Sequence, residues 1–176
     1  MTTLYFLRHA TAEVIRPGQL DVDRCLVDKG RQQAMRVGNF ILKQGVNPQR
    51  VFSSPYPRAI QTAAIVCEQA LLAPAEEVDW LALDTPVAQS AVALQALLAQ
   101  LPAQSLLIGH EPDLSRLISH LLGTDLPVLK VRKASITCLQ LAVAQPSLQQ
   151  CEPDADLSTE QGRWTLQWSV PVKFMP

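Results

Sequence analysis

Arg8 and His9 stand side by side at the end of the apolar run TLYFL, Arg58 lies about one helical turn beyond the run RVFSS, and His110 closes the run SLLIG. Two guanidinium forks present rigid, permanently charged donors that match the oxygens of a phosphoryl group. Imidazole adds what arginine lacks. A neutral ring can attack phosphorus, while a second, protonated ring can hold the charge that develops on the oxygens. A single Arg or His at a strand end is ordinarily a solvated terminus. Four of them at three strand ends point instead to one shared anion site, provided those strands present the same ends to one rim.

The surrounding pattern supplies such strands. Residues 3–8 (TLYFLR) are nearly all apolar or β-prone, as in a central strand covered on both faces. A polar loop, 11–27, leads into DKGRQQAMRVGNFILKQG, where Ala34, Val37, Phe40 and Ile41 recur at a helical period between Asp28 as cap and Gly45 as stop. PQRVFSS (48–54) reads as a second strand. Ser54 is expected to cap the next helix, with Pro55 at its first position and Pro57 still inside the first turn. EEVDWLAL (76–83) suggests an edge strand, 86–100 an Ala/Leu/Gln helix, QSLLIGH (104–110) a buried strand and EPDLSRLISHLLG a helix stopping at Gly123. SITCLQLAV (135–143) and RWTLQWSV (163–170) suggest a hairpin closing one side of the sheet, with Trp164 and Trp168 on one face of its second strand.

This alternation predicts an α/β fold: a three-layer sandwich with a largely parallel central sheet and a C-terminal antiparallel hairpin. Such sheets bind ligands beyond the carboxyl ends of their strands, which is where Arg8, His9, Arg58 and His110 fall.

Composition narrows the classes of function. The 176 residues suit a single domain spanning 1–176. Apolar residues make up 48% and charged residues 18%, as in a globular protein. No apolar run approaches the ~18 residues of a bilayer span, and MTTLYFLRHA has no basic stretch ahead of its apolar run, so a cytoplasmic protein without membrane association is expected. Fifteen Lys and Arg against sixteen Asp and Glu leave a net charge of -1, so no global field gathers nucleic acid, and any anion site is local. Cys25, Cys67, Cys138 and Cys151 lack zinc spacing and read as reduced thiols. Asp21, Asp23 and Asp28 read as a solvated loop and helix cap rather than a metal site. His120 lies off its helix's apolar stripe and is left outside the site. The connector 144–163 is the candidate for local disorder.

FLRHATAE, LVDKGRQQA, VFSSPYPRAIQTA and LLIGHEPDLSRL resemble, in order and spacing, the histidine phosphatase (phosphoglycerate-mutase-like) superfamily over residues 3 to about 122, with Arg8-His9-Ala10 in place of its Arg-His-Gly signature. The short chain, the alanine of that triplet, the few residues between Leu72 and Gln104 and the GHEP around His110 are most similar to the SixA-type phosphohistidine phosphatases. The resemblance implies His9 as the nucleophile that is phosphorylated, Arg8 and Arg58 as phosphate clamps, and His110 as the second histidine beside the phosphoryl group. It adds Ser53 and Thr11 as further substrate-binding residues, and it implies neither metal nor cofactor. Where larger members carry an acidic proton donor, DWLALDTPVAQS offers only Asp79 and Asp84; Asp84 is the candidate donor, with a turn or cap role as its alternative.

A site without a strong general acid favours phosphohistidine, whose imidazole can leave already protonated, over phosphomonoesters, whose alkoxide needs a proton. The expected function is therefore a metal-independent phosphatase that forms a phosphohistidine intermediate and acts on phosphohistidine of a protein, as a monomer or weak dimer. A phosphomonoesterase acting on a small phosphorylated metabolite and a non-catalytic phosphoprotein-binding module are the alternatives.

Overall fold

In a computed structural model of the chain, which describes residues 2–142 and 163–176, the apolar runs become strands of one six-stranded sheet. Along the chain the elements are β1 (Thr3–Arg8), α1 (Asp28–Lys43), β2 (Arg50–Ser53), α2 (Pro57–Ala70), β3 (Glu76–Glu77), α3 (Val87–Leu98), β4 (Gln104–Gly109), α4 (Asp113–Leu121), β5 (Ile136–Ala142) and β6 (Arg163–Val170). Across the sheet the order is β3-β2-β4-β1-β5-β6. The first four of these run parallel, β5 is antiparallel to β1, and β6 is antiparallel to β5.

Both faces of the inner strands are covered, which is why they read as unbroken apolar runs. Tyr5, Leu7, Leu106 and Ile108 pack against Ala34, Val37 and Ile41 of α1 and Ala63 and Val66 of α2. Their neighbours Leu4, Phe6, Phe52 and Leu107 point the other way, onto Leu94 of α3 and Leu114, Leu117 and Ile118 of α4. Each Leu, Ile, Val or Phe side chain so withdrawn from water contributes about 1.5–3 kcal/mol. Gly30 sets how closely α1 approaches the sheet's rim: a Cβ at that position would stand 2.0 Å from the Thr11 carbonyl oxygen, so only glycine admits this packing.

Four local expectations fail for identifiable reasons. The helix after β2 begins at Pro57 with Tyr56 at the cap, not at Ser54 and Pro55. Ser54 instead continues the sheet pairing through its N–H to the Ile108 carbonyl (2.9 Å), and its hydroxyl is engaged by His110 and the Tyr56 N–H. Val27, rather than Asp28, occupies the cap of α1; Asp28 places its carboxylate in the first turn, where the helix dipole favours a negative charge.

EEVDWLAL pairs only through Glu76–Glu77 before a 3-10 turn over Asp79–Leu81. Val78, Trp80 and Leu81 all pack into the α3/α4 layer, whereas a continuing strand would send Trp80 and Leu81 to opposite faces. Trp164 and Trp168 do not share a face. Cys138 pairs with Trp168 but Leu139 with Leu166, so Gln167 is an extra residue that inverts the alternation. Trp164 is buried with Leu4 and Phe6, while Trp168 packs on the other layer beside Tyr5, ring centroids 5.9 Å apart.

Cys25, Cys67 and Cys138 are free thiols. Cys151 and the connector expected to be disordered, Arg163 excepted, lie outside the described residues. No helix among the described residues is long and apolar enough to cross a membrane.

Candidate functional site

Strand register assembles the site. β1 and β4 are parallel neighbours with Arg8 opposite Gly109, so the next residues, His9 and His110, leave the sheet side by side. The His9 N–H donates to the Gly109 carbonyl at 3.0 Å, and the two imidazole centroids are 5.1 Å apart. On the other flank of β4, Ser53 is opposite Ile108, and the turn from Ser53 into α2 brings Tyr56 and Arg58 to the same rim. The Tyr56 ring lies 5.2 Å from that of His110, and the Arg58 guanidinium carbon lies 5.1 Å from the Tyr56 ring centre.

The hydrogen bonds fix each group. His9 is 5% exposed, and its Nδ1–H donates to the Ala10 carbonyl at 2.7 Å, which leaves the lone pair on Nε2. The Ala10 N–H donates to Thr62 Oγ1 (3.1 Å), whose hydroxyl donates to the Arg58 carbonyl (2.7 Å), tying the backbone after His9 to the first turns of α2. Arg58 is 1% exposed; its Nη1 donates to the Asp21 carbonyl (2.6 Å) and its Nη2 to Asp21 Oδ2 (2.8 Å). Asp21 also pairs with Arg24 at 2.6 Å, so it is a positioning residue for two arginines rather than part of a solvated loop. Arg8 donates from Nη1 to the Val131 carbonyl (3.1 Å). His110, 1% exposed, shares a 2.7 Å hydrogen bond between Nε2 and Ser54 Oγ. The Nε atoms of Arg8 and Arg58 and Nδ1 of His110 are buried and have no hydrogen-bond partner among the described residues.

The other candidates are arranged differently. Ser53 is buried and donates its hydroxyl to the Ser54 carbonyl (3.0 Å). Thr11 directs both its N–H (3.0 Å) and its hydroxyl (2.8 Å) to Gln33 Oε1. Asp84 is exposed, has a left-handed backbone (φ 64°), and donates its N–H to the Asp113 carboxylate at 2.9 Å, placing it in a turn over the start of α4. Asp79 lies in the 3-10 turn after β3. His120 is exposed on α4.

Sequence reasoning passed over Ser54, Tyr56, Asp21 and Glu111. Glu111 accepts the Ser115 hydroxyl at 2.7 and 2.8 Å through its two oxygens, and its charge favours the cationic form of Arg8. The available signal was adjacency: Ser54 and Tyr56 surround the first proline of SSPYPR, and Glu111 directly follows His110.

Burial pushes the His9 imidazole down to about 3, and Arg58, Arg8 and Lys133 push in the same direction against the Ala10 carbonyl. His110 is likewise lowered, first by burial, then by His9 and the arginines. Both rings are therefore neutral near pH 7 in the free protein. An unfolded histidine titrates near 6.5, so below that pH the unfolded chain binds protons that the folded pair does not. The contribution of the pair to stability is complete above about 6.5 and declines as pH falls toward 3. The ring carbon resonances of His9 and His110 are expected to report neutral imidazole at pH 5.5, with the melting temperature already falling; protonated signals near pH 6 would contradict the assignment. Burial also draws the Arg8 and Arg58 guanidiniums below their ordinary value, with Glu111 and Asp21 respectively opposing it.

Among the described residues no group of three or more His, Cys, Asp or Glu side chains is arranged to hold a metal ion.

Residues 4–82 match the family model of the histidine phosphatase superfamily (branch 1). Of curated relatives, a 2,3-bisphosphoglycerate-dependent phosphoglycerate mutase of Thermobifida fusca is 40% identical over 74 residues, which cover 40% of this chain and 29% of the mutase. Among solved structures, the protein histidine phosphatase SixA complexed with tungstate superposes with a TM-score of 0.80 at 24% identity, covering 98% of each chain. A mycobacterial glucosyl-3-phosphoglycerate phosphatase superposes with a TM-score of 0.72 at 19% identity, covering 96% of this chain and 98% of the other. At those identities the likeness to both structures is one of fold.

Proposed function

We propose that the chain is a phosphatase of the histidine phosphatase superfamily, whose family model matches residues 4–82, and that it removes the phosphoryl group from phosphohistidine on a protein, through a covalent phosphohistidine at His9 and without a metal. The observation that carries this reading is the hydrogen bond from His9 Nδ1 to the Ala10 carbonyl, in a ring held neutral by burial: it leaves the lone pair of Nε2 free beside the His110 ring and under the influence of the Arg8 and Arg58 charges. Arg8 and Arg58 take the phosphoryl oxygens, using N–H groups not engaged by Val131 and Asp21. A phosphoryl dianion supplies the negative charge that the residues around His110 do not, which raises that ring's proton affinity and lets it donate to the same group.

In the first step a bond forms between His9 Nε2 and phosphorus while the bond to the substrate's ring nitrogen breaks, and the electron pair leaves on an imidazole protonated at its other nitrogen. In the second, water attacks phosphorus, the Nε2–phosphorus bond breaks, and phosphate departs. No proton has to reach the leaving group in the first step, which suits a site where Glu111 is held by Ser115 and Asp84 lies on the surface. Ser53 and Thr11 donate their hydroxyls to the Ser54 carbonyl and to Gln33, and so serve this reading through the turn before α2 and the link to α1.

A second reading, a small-molecule phosphomonoesterase, is favoured by the match to the mutase and by the fold shared with the glucosyl-3-phosphoglycerate phosphatase. It would need Asp84 or Glu111 as proton donor. A panel of phosphohistidine peptide, sugar phosphate and p-nitrophenyl phosphate separates the two. The proposal expects kcat/KM for the phosphohistidine peptide to exceed the ester values by about 100-fold or more, with Asp84→Asn without effect on it. Ester turnover that matches or exceeds it and is lost in Asp84→Asn or Glu111→Gln would establish the second reading instead.

A further inference from the structure

Cations that one phosphoryl group does not need gather on one side of the site. The loop from α4 to β5 contains Leu129-Lys130-Val131-Arg132-Lys133, three cations in five residues of a chain whose net charge is -1. The loop is fastened to the site. Val131 is fully buried, its carbonyl accepts from Arg8 Nη1 (3.1 Å), and its N–H donates to Ser115 Oγ (3.3 Å). The Ala134 N–H, one residue past Lys133, donates to the carbonyls of Arg8 (3.1 Å) and His9 (3.4 Å). Lys130, Arg132 and Lys133 are all exposed above these anchors.

Lys29 adds a fourth exposed cation from the first turn of α1, which Gly30 brings against Thr11. Lys133 is close enough to Lys29, Arg24 and Arg8 for their charges to disfavour its own, and close enough to His9 to disfavour a proton there. Beyond His110 the charge reverses. Asp113 accepts the Asp84 N–H at 2.9 Å and pairs with Arg116 at 3.6 Å; burial first, then the Asp84 and Glu111 charges, oppose its ionisation. Cations are thus in excess at the 130–133 loop and Lys29, with Asp28 the carboxylate beside them, and carboxylates are in excess at the start of α4, where Arg116 is the cation.

We propose that Lys29, Lys130, Arg132 and Lys133 form a docking collar for the acidic flank of a phosphoprotein, so that the preferred phosphohistidine is one with Asp or Glu beside it. Exposed charges of this kind steer encounter and select partners more than they hold them, and they act within a screening length of about 8–10 Å. The collar lies next to Arg8 and His9, and so meets residues neighbouring the phosphoryl group. The proposal rests on the phosphohistidine reading for what is cleaved, but not for what the collar attracts.

Three peptides of equal length test it, each with one central phosphohistidine flanked by Glu, by Gly or by Lys, alongside matching peptides carrying a stable phosphonate analogue of phosphohistidine. Fluorescence anisotropy on the analogues reads the collar, and phosphate release from the parents reads the chemistry. The acidic analogue is expected to bind about tenfold tighter than the neutral one at low salt, with the basic analogue weaker still and the preference shrinking as salt rises. In Arg132→Ser/Lys133→Ser the ratio of acidic to neutral binding should approach one. Equal binding of the three analogues by the wild-type protein, or a preference unchanged by both salt and the double substitution, overturns the collar. Preferential binding without phosphate release from any parent leaves the collar standing and removes the phosphatase reading.

Discussion

His9→Ala is expected to lose at least about 10^4-fold in kcat on every phosphorylated substrate, because the proposed covalent intermediate forms on its Nε2. The loss should not come from unfolding. Among the described residues the buried imidazole makes one hydrogen bond, Nδ1 to the Ala10 carbonyl, a net contribution of about 0.5–1.5 kcal/mol. Ala10 itself remains tied to Thr62 through its N–H. Circular dichroism should therefore show a folded protein with a modestly altered melting temperature, and stopped turnover in that protein isolates the chemical role. Activity within tenfold of wild type would remove His9 from the mechanism.

Arg58→Ala should lower kcat/KM by about 10^2–10^3, the magnitude of removing a preorganised donor aimed at developing oxyanion charge. Arg58 is positioned more completely than an ordinary surface arginine. Its guanidinium is buried, clamped by the carbonyl and carboxylate of Asp21, and near the Tyr56 ring, so its position is fixed in the free protein. Arg58→Lys should recover little, since a single ammonium cannot hold Asp21 and present a planar fork at once. Steady-state kinetics with the phosphohistidine peptide check both variants; a lysine variant near wild-type activity would show that charge alone suffices.

The parts of this architecture that were legible in the sequence are those where both faces of an element are buried. TLYFLR and QSLLIGH declare themselves because their central side chains, Leu4 to Leu7 and Leu106 to Ile108, enter one or other of two apolar layers, and their parallel pairing places the residues after them together. Arg8, His9, Arg58 and His110 could be singled out because strand ends in such a sheet share a rim. What stayed hidden depends on contacts between distant segments. Ser54 reads as a helix cap until His110 stands beside it, and Asp21 reads as a solvated loop residue until Arg58 reaches across 37 positions to it. The face of Trp164 turns on one extra residue in β6, a register shift that no alternation in RWTLQWSV announces. The KVRK loop was visible, but net charge averaged over the chain conceals a local cluster.

The claim on which the rest depends is that phosphorus is bonded to His9 during turnover. Rapid acid-free quenching of the wild-type protein with a radiolabelled phosphohistidine peptide, followed by digestion and mass spectrometry, tests it directly. Label that is acid-labile, alkali-stable and carried on His9 Nε2, appearing before free phosphate and absent in His9→Ala, is the predicted result. Phosphate released with no labelled protein at any time, or with label on His110 instead, would contradict it.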